Sequence, residues 1–85
     1  MSYNINISKS VQKQIDDLSG DILERVIDKI RLLANEPRPN QVVKLSGFEN
    51  EYRIRVGDYR IRYEIDDEIQ NIQILQCKHR RDVYR

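Results

Sequence analysis

The chain has 85 residues and a formal net charge of +1, with 15 lysines and arginines against 14 aspartates and glutamates. This length allows one domain, whose core is too small to enclose a large cofactor. The charge excludes uniformly basic nucleic-acid coating proteins and acidic disordered tails. One cysteine excludes an internal disulfide, and no apolar run suits a signal peptide or a membrane span. We therefore expect one cytoplasmic domain over residues 1–85, with no cofactor and no membrane partner.

The first half of the chain has mainly helical periodicity. Residues 3–7 alternate apolar and polar side chains, which predicts a short strand with one buried face. Ser8 stands at the expected N-cap of a helix, and an apolar stripe with helical spacing follows in residues 11–18. A second, wider stripe covers residues 22–34. This second helix should end just before Pro37, because proline disfavours helical geometry in the residue that precedes it.

The second half changes to a period of two. Residues 42–45 predict a short strand, and residues 51–56 and 59–65 alternate on either side of Gly57-Asp58, which predicts a hairpin with a two-residue turn. The strand predicted over residues 69–77 is apolar on both faces, with Ile72 and Ile74 on one and Leu75 and Cys77 on the other. The pattern indicates an α+β fold, in which an N-terminal strand and a helical hairpin pack on a mostly antiparallel sheet.

The hairpin register places four arginines on one face of the sheet, Arg53 opposite Arg62 and Arg55 opposite Arg60; we call this set the arginine face. Like charges directly opposite one another destabilise a sheet, so selection for stability alone does not explain the pattern. Arginine suits planar, bidentate contact with phosphate, which favours a phosphate-rich ligand. The alternative is an ordinary solvated face, whose arginine stems cover apolar surface and pair diagonally with glutamates.

The last eight residues, 78–85, form a second basic segment that contains an aromatic side chain. Base stacking on Tyr84 would supply on the order of 1–3 kcal/mol. The alternative is that Val83 and Tyr84 anchor the C-terminus while the charges keep the chain soluble. His79 is the single histidine, and such a residue is more often a surface or packing residue than a catalyst.

Three segments resemble the RelE/ParE toxin superfamily, namely Lys44–Gly47, Tyr52–Tyr63 and His79–Tyr84. The last of them places the chain nearer to the RelE branch than to the ParE branch. The resemblance implies a toxin that cleaves mRNA in the A site of the ribosome and that a cognate antitoxin protein holds inactive. ParE-type toxins share the fold and act on DNA gyrase without catalysis, which is the alternative function. A third alternative is an interaction domain whose basic face holds an acidic partner.

The resemblance also implies roles for individual residues. Those expected to hold the scissile phosphate, stabilise the charge that develops on it or stack a base are Arg55, Arg60, Arg80 and Tyr84. Those expected to bind RNA are Lys44, Arg53, Arg62, His79 and Arg81. Some relatives have a lysine on the first hairpin strand as a proposed general base, whereas arginine, with a pKa above about 12, gives up a proton poorly. The candidates for the base are Glu51, Glu64, His79 and Tyr84.

The sequence shows no set of metal ligands, because one histidine and one cysteine are too few for a zinc site. The expected chemistry is therefore metal-free attack of the RNA 2′-hydroxyl on the scissile phosphate, which leaves a cyclic phosphate. This reaction needs the 2′-oxygen in line with the leaving oxygen, and donors that stabilise the negative charge of the transition state.

Overall fold

The computed structural model describes residues 2–45, 47 and 49–83. Its elements in chain order are β1 (Asn4–Ile7), α1 (Lys9–Asp16), α2 (Gly20–Asn35), β2 (Val43–Lys44), β3 (Glu51–Val56), β4 (Tyr59–Asp66), β5 (Asn71–His79) and α3 (Arg80–Val83). Within the described residues, five strands form one sheet in the order β1-β5-β4-β3-β2. β1 runs parallel to β5, and the other neighbouring strands are antiparallel. The predicted α+β fold is confirmed, and the short helix α3 is an addition to it.

The helices begin and end for local reasons. The Ser8 hydroxyl accepts a hydrogen bond from the backbone N–H of Val11 at 3.4 Å, so the predicted N-cap of α1 is confirmed. α2 ends at Asn35, before Pro37, as predicted. No helix in the described part of the chain is both long enough and apolar enough to cross a membrane.

The apolar stripes of α1 and α2 pack on one face of the sheet. The buried side chains from the helical half are Val11, Ile15, Leu18, Val26, Ile30 and Leu33. Those from the sheet are Tyr52, Ile54, Val56, Ile61, Tyr63, Ile65, Ile72, Ile74 and Cys77. Burial raises the pKa of the Cys77 thiol to about 11, so this cysteine is a packing residue with little thiolate at neutral pH. The two helices therefore cover one face of the sheet.

β5 departs from the predicted alternation. The register with β4 passes from Tyr63 opposite Ile74 to Arg62 opposite Gln76, so Leu75 is an extra residue in a β-bulge. Because of this bulge, Cys77 returns to the buried face with Ile74. The prediction that Cys77 shares a face with Leu75 is wrong, since a bulge reverses the alternation that follows it.

A polar cluster closes the end of the sheet that lies away from the β3–β4 turn. The Arg38 guanidinium contacts the Asp67 carboxylate at 2.8 Å, and the Tyr3 hydroxyl donates to the same carboxylate at 2.7 Å. The hydrogen bonds from Arg38 hold the pKa of Asp67 below its ordinary value. The buried Tyr63 hydroxyl donates to the carbonyl oxygen of Pro37 at 2.7 Å. These bonds join the N-terminus, the α2–β2 loop and the β4–β5 turn, and so hold the strands that present the arginine face.

Candidate phosphate-binding site

The hairpin of β3 and β4 has the register that its sequence predicts. Arg53 lies opposite Arg62, and Arg55 lies opposite Arg60. The intervening side chains of β3 are buried against the helices, namely Tyr52, Ile54 and Val56. The arginine face is therefore confirmed as a feature of the fold, and it lies on the side of the sheet that α1 and α2 do not cover.

The bulge in β5 adds a cation to this face. Lys78 lies opposite Arg60 in the β4–β5 register, so it shares a face with the arginines. His79 lies opposite Tyr59 and packs against it edge to face, with ring centroids 5.2 Å apart, on the side of the helices. The basic tail is the sequence signal for Lys78, but the position of Lys78 on the arginine face depends on the β-bulge at Leu75, which the alternating pattern does not show.

Arg62 of the arginine face has an acidic neighbour on the adjacent strand, Glu51. Its Nε atom is buried and has no hydrogen-bond partner, and it lies 3.6 Å from Oε1 of Glu51. The Glu51 side chain is 13% exposed, so this ion pair is partly shielded from water. Here the diagonal arginine–glutamate pairing of the ordinary sheet face does occur, and it fixes one arginine in place.

The substitution Glu51→Gln is expected to destabilise the fold by about 1 kcal/mol, because the buried Nε of Arg62 loses its counter-charge. The matched control is Glu64→Gln on the exposed register partner of Glu51, for which we expect a change within about 0.5 kcal/mol. Urea unfolding of both variants measures the difference. Equal free energies of unfolding for the two would show that the Glu51–Arg62 pair has no structural role.

We call the β3–β4 turn, Gly57-Asp58, the hairpin tip. It holds a second cationic segment, the start of α3, beside the arginine face. Gly57 has a φ of 57°, in the left-handed region that favours glycine. The Arg55 Nε donates to the Gly57 carbonyl at 2.9 Å, and the Arg80 backbone N–H donates to the Asp58 carbonyl at 2.7 Å. The start of α3 is therefore docked on the tip, beside Arg55.

A single carboxylate oxygen lies between the two guanidinium groups. Asp58 Oδ1 is 3.9 Å from Nη2 of Arg55 and 3.9 Å from Nε of Arg80. The two arginine side chains are 58% and 57% exposed. Ion pairs this long and this exposed contribute little stability. Asp58 thus draws the two exposed guanidinium groups to one place without a short ion pair to either.

The structure separates the predicted site residues into two groups. Those that it brings together on the arginine face and at the hairpin tip are Arg53, Arg55, Arg60, Arg62 and Arg80. Lys44 lies opposite Tyr52 at the edge of the sheet, so its register position belongs to the helix-covered face. Arg81 and His79 line a cleft beside α2. Tyr84 lies outside the described residues.

The general-base candidates also differ in position. Glu51 is paired with Arg62, whereas Glu64 is exposed. His79 lies on the helix side, where its Nδ1 atom accepts a hydrogen bond from the backbone N–H of Arg81 at 3.2 Å. Among residues 2–45, 47 and 49–83, no three His, Cys, Asp or Glu side chains are grouped as metal ligands would be.

The fold and the site define a small α+β domain whose open sheet face carries clustered arginines. Comparison with known proteins places this domain in a family. Residues 5–84 match the family model described as the ParE toxin of the type II toxin-antitoxin system, parDE. The chain belongs to this family, within the RelE/ParE superfamily that the sequence motifs resemble.

The similar proteins carry RelE-type names. A putative toxin RelE1 of Methanocaldococcus jannaschii is 31% identical over 90 residues, covering 100% of this chain and 98% of that protein. Toxin RelG of Mycobacterium tuberculosis is 29% identical, covering 100% and 99%. The crystal structure of the archaeal RelE–RelB complex from Pyrococcus horikoshii superposes with a TM-score of 0.84 at 34% identity, covering 94% of this chain and 97% of that one. The whole length of this chain therefore has counterparts in RelE-type toxins.

Proposed function

We propose that this protein is the toxin of a type II toxin–antitoxin system and a ribosome-dependent endoribonuclease that cleaves mRNA in the A site. The observation that carries the proposal is the grouping of Arg55, Arg60 and Arg80 at one end of an exposed sheet face. Arg55 and Arg60 are register partners, and Arg80 lies beside Arg55 across the Asp58 carboxylate, so cations from three elements meet at this end of the face.

The chemistry assigned to this site needs no metal. The 2′-hydroxyl gives its proton to a base and attacks the adjacent phosphate, which breaks the bond to the 5′-oxygen. The 5′-oxygen takes up a proton and leaves as a hydroxyl, and the upstream product ends in a 2′,3′-cyclic phosphate. Arg60 and Arg80 hold the phosphate and stabilise the negative charge that grows on it, as preorganised donors do in other sites of this kind. Arg53 and Arg55 position the RNA backbone so that the 2′-oxygen lies in line with the leaving oxygen. Tyr84 stacks on a base or lends its hydroxyl to proton transfer.

The proposal includes a cognate antitoxin as partner. The Pyrococcus horikoshii RelE structure is a complex with RelB, which supports an equivalent protein partner for this chain. The proposed location of the protein in the cell is the cytoplasm, since its substrate is an mRNA on the ribosome.

The second candidate function is inhibition of DNA gyrase without catalysis, which the ParE description of the family model favours. Expression in cells separates the two. The nuclease arrests translation and produces mRNA ends at fixed codon positions, whereas a gyrase inhibitor causes filamentation and DNA-damage signalling.

The mechanism is tested with a translated mRNA that carries a single 2′-deoxynucleotide at a mapped cut site. We expect cleavage at that site to disappear while cuts at other codons of the same molecule persist, because the attacking oxygen is missing at one position only. The upstream product of the unmodified mRNA should end in a cyclic phosphate. Cutting at the deoxynucleotide would exclude 2′-hydroxyl attack, and gyrase inhibition without any mRNA cleavage would establish the second candidate instead.

A further inference from the structure

We propose that Arg25 of α2 is a second contact for RNA phosphate, on the far side of the hairpin tip from the arginine face. RNA held by the arginine face then continues over the tip toward α2. This inference rests on the proposed function and adds a residue, outside the sheet, that determines how the RNA is held.

The first observation is the close approach of α2 to the tip. A Cβ atom placed on Gly57 would lie 3.2 Å from Cδ1 of Ile22 and 3.4 Å from Nη1 of Arg25. Its distance to Nη2 of Arg25 would be 3.8 Å. The guanidinium of Arg25 therefore lies alongside the turn, where the absence of a side chain on Gly57 makes room for it.

The second observation is that Arg25 and Gly57 together line two open clefts. The first cleft, of about 460 Å³, also contains Arg55 and Lys29. The second, of about 490 Å³, also contains His79 and Arg81. Arg25 thus borders both the cleft of Arg55, which belongs to the arginine face, and the cleft of Arg81, which lies on the helix side.

Both clefts have an excess of positive charge. In the first, Arg25, Lys29 and Arg55 face one acid, Asp28. In the second, Arg25 and Arg81 face one acid, Asp58. Clefts this open do not enclose a small ligand, but a polyanion can follow them from one cation to the next. Single-stranded RNA is the polyanion that the proposed function already places on the arginine face, so its neighbouring phosphates are the ligand we assign to Arg25.

The experiment measures binding of an uncleavable 2′-O-methyl RNA of twelve nucleotides and of a matching trinucleotide, by fluorescence anisotropy over a series of salt concentrations. The variant is Arg25→Ala. The control is Arg31→Ala, which removes the same charge from the same helix but lines an apolar groove with Ile5 and Ile27 elsewhere on the surface. The variant Arg25→Gln removes the charge but keeps part of the side-chain stem. The urea unfolding midpoints of all variants show whether weaker binding comes from a lost RNA contact or from loss of the folded state.

For Arg25→Ala we expect several-fold weaker binding of the twelve-nucleotide RNA, and a salt-dependence slope smaller by about 0.7, the value for one phosphate contact on a single strand. Trinucleotide binding should stay unchanged, because a short RNA occupies the arginine face alone. Arg31→Ala should match the wild type with both RNAs. Arg25→Lys should restore most of the affinity, since the salt-dependent part of a phosphate contact depends on the positive charge.

The inference is overturned if Arg25→Ala and Arg31→Ala bind the longer RNA equally well, or if the wild type binds no RNA. It is also overturned if Arg25→Ala weakens binding of the purified antitoxin alone, which would assign Arg25 to an acidic protein segment. If the proposed function is wrong but the inference about Arg25 is right, a different result is expected. The wild type would then bind RNA through Arg25 and leave translated mRNA uncut.

Discussion

Alanine in place of Arg60 or Arg80 is expected to slow cleavage of translated mRNA by roughly 100- to 1000-fold, the usual loss when one preorganised donor to a transition state is removed. Arg60 comes from β4, where Lys78 and Arg55 flank it on the neighbouring strands. Arg80 comes from α3 and shares the Asp58 carboxylate with Arg55. The two residues reach the site from different elements, so each supplies donors that the other does not replace.

Kinetics on ribosomes programmed with a defined mRNA provide the measurement. We expect the rate at saturating toxin to fall more than the affinity for the ribosome, because the donors act mainly on the developing charge. Arg80→Lys should recover only part of the rate, since an ammonium group does not reproduce the planar fork of arginine. The control is Arg31→Ala, which lies outside the site. Cleavage at the wild-type rate by both Arg60→Ala and Arg80→Ala would refute the assignment of these residues.

Ile61→Ala is expected to have the largest effect on stability, about 2–5 kcal/mol. Ile61 is 0% exposed in the strand at the middle of the sheet, between Ile54 on β3 and Cys77 on β5. Its truncation removes buried apolar contacts and leaves a cavity that neighbouring strands fill poorly. Since a domain has a total stability of about 5–15 kcal/mol, this loss threatens the folded state itself.

The control for this prediction is Ile69→Ala, because Ile69 is 66% exposed at the turn between β4 and β5. Its truncation should change the free energy of unfolding by about 0.5 kcal/mol or less. Urea unfolding gives both values. Similar losses for the two variants would contradict the description of β4 as the central buried strand. Because Arg60 and Arg62 flank Ile61, cleavage by Ile61→Ala should fall in proportion to its folded fraction.

The hairpin shows how far local pattern alone can predict a site. The alternation in residues 51–56 and 59–65 and the two-residue turn Gly57-Asp58 together determine which residues face one another, because a strand has a period of two and the turn length sets the register. The arginine face follows directly from those two facts. The start of α1 after the Ser8 N-cap and the end of α2 before Pro37 are local in the same sense, since each depends on hydrogen bonds or steric contacts within a few residues.

The rest of the site depends on contacts between distant parts of the chain. The β-bulge at Leu75 arises where β5 pairs with β4, and it decides that Lys78 joins the arginine face while His79 turns toward the helices. A strand pattern read without its partner does not show such an extra residue.

The sequence by itself therefore determined the α+β fold, the pairing of the four arginines and the resemblance to RelE-type toxins. The tertiary structure decided which other cations join them. Arg80 reaches the site because α3 docks on the Asp58 carbonyl, and Arg25 because Ile22 packs α2 against Gly57. The physical reason is sequence separation: alternation and turns act over a few residues, whereas the proximity of α2, the hairpin tip and the end of β5 arises only when the core assembles.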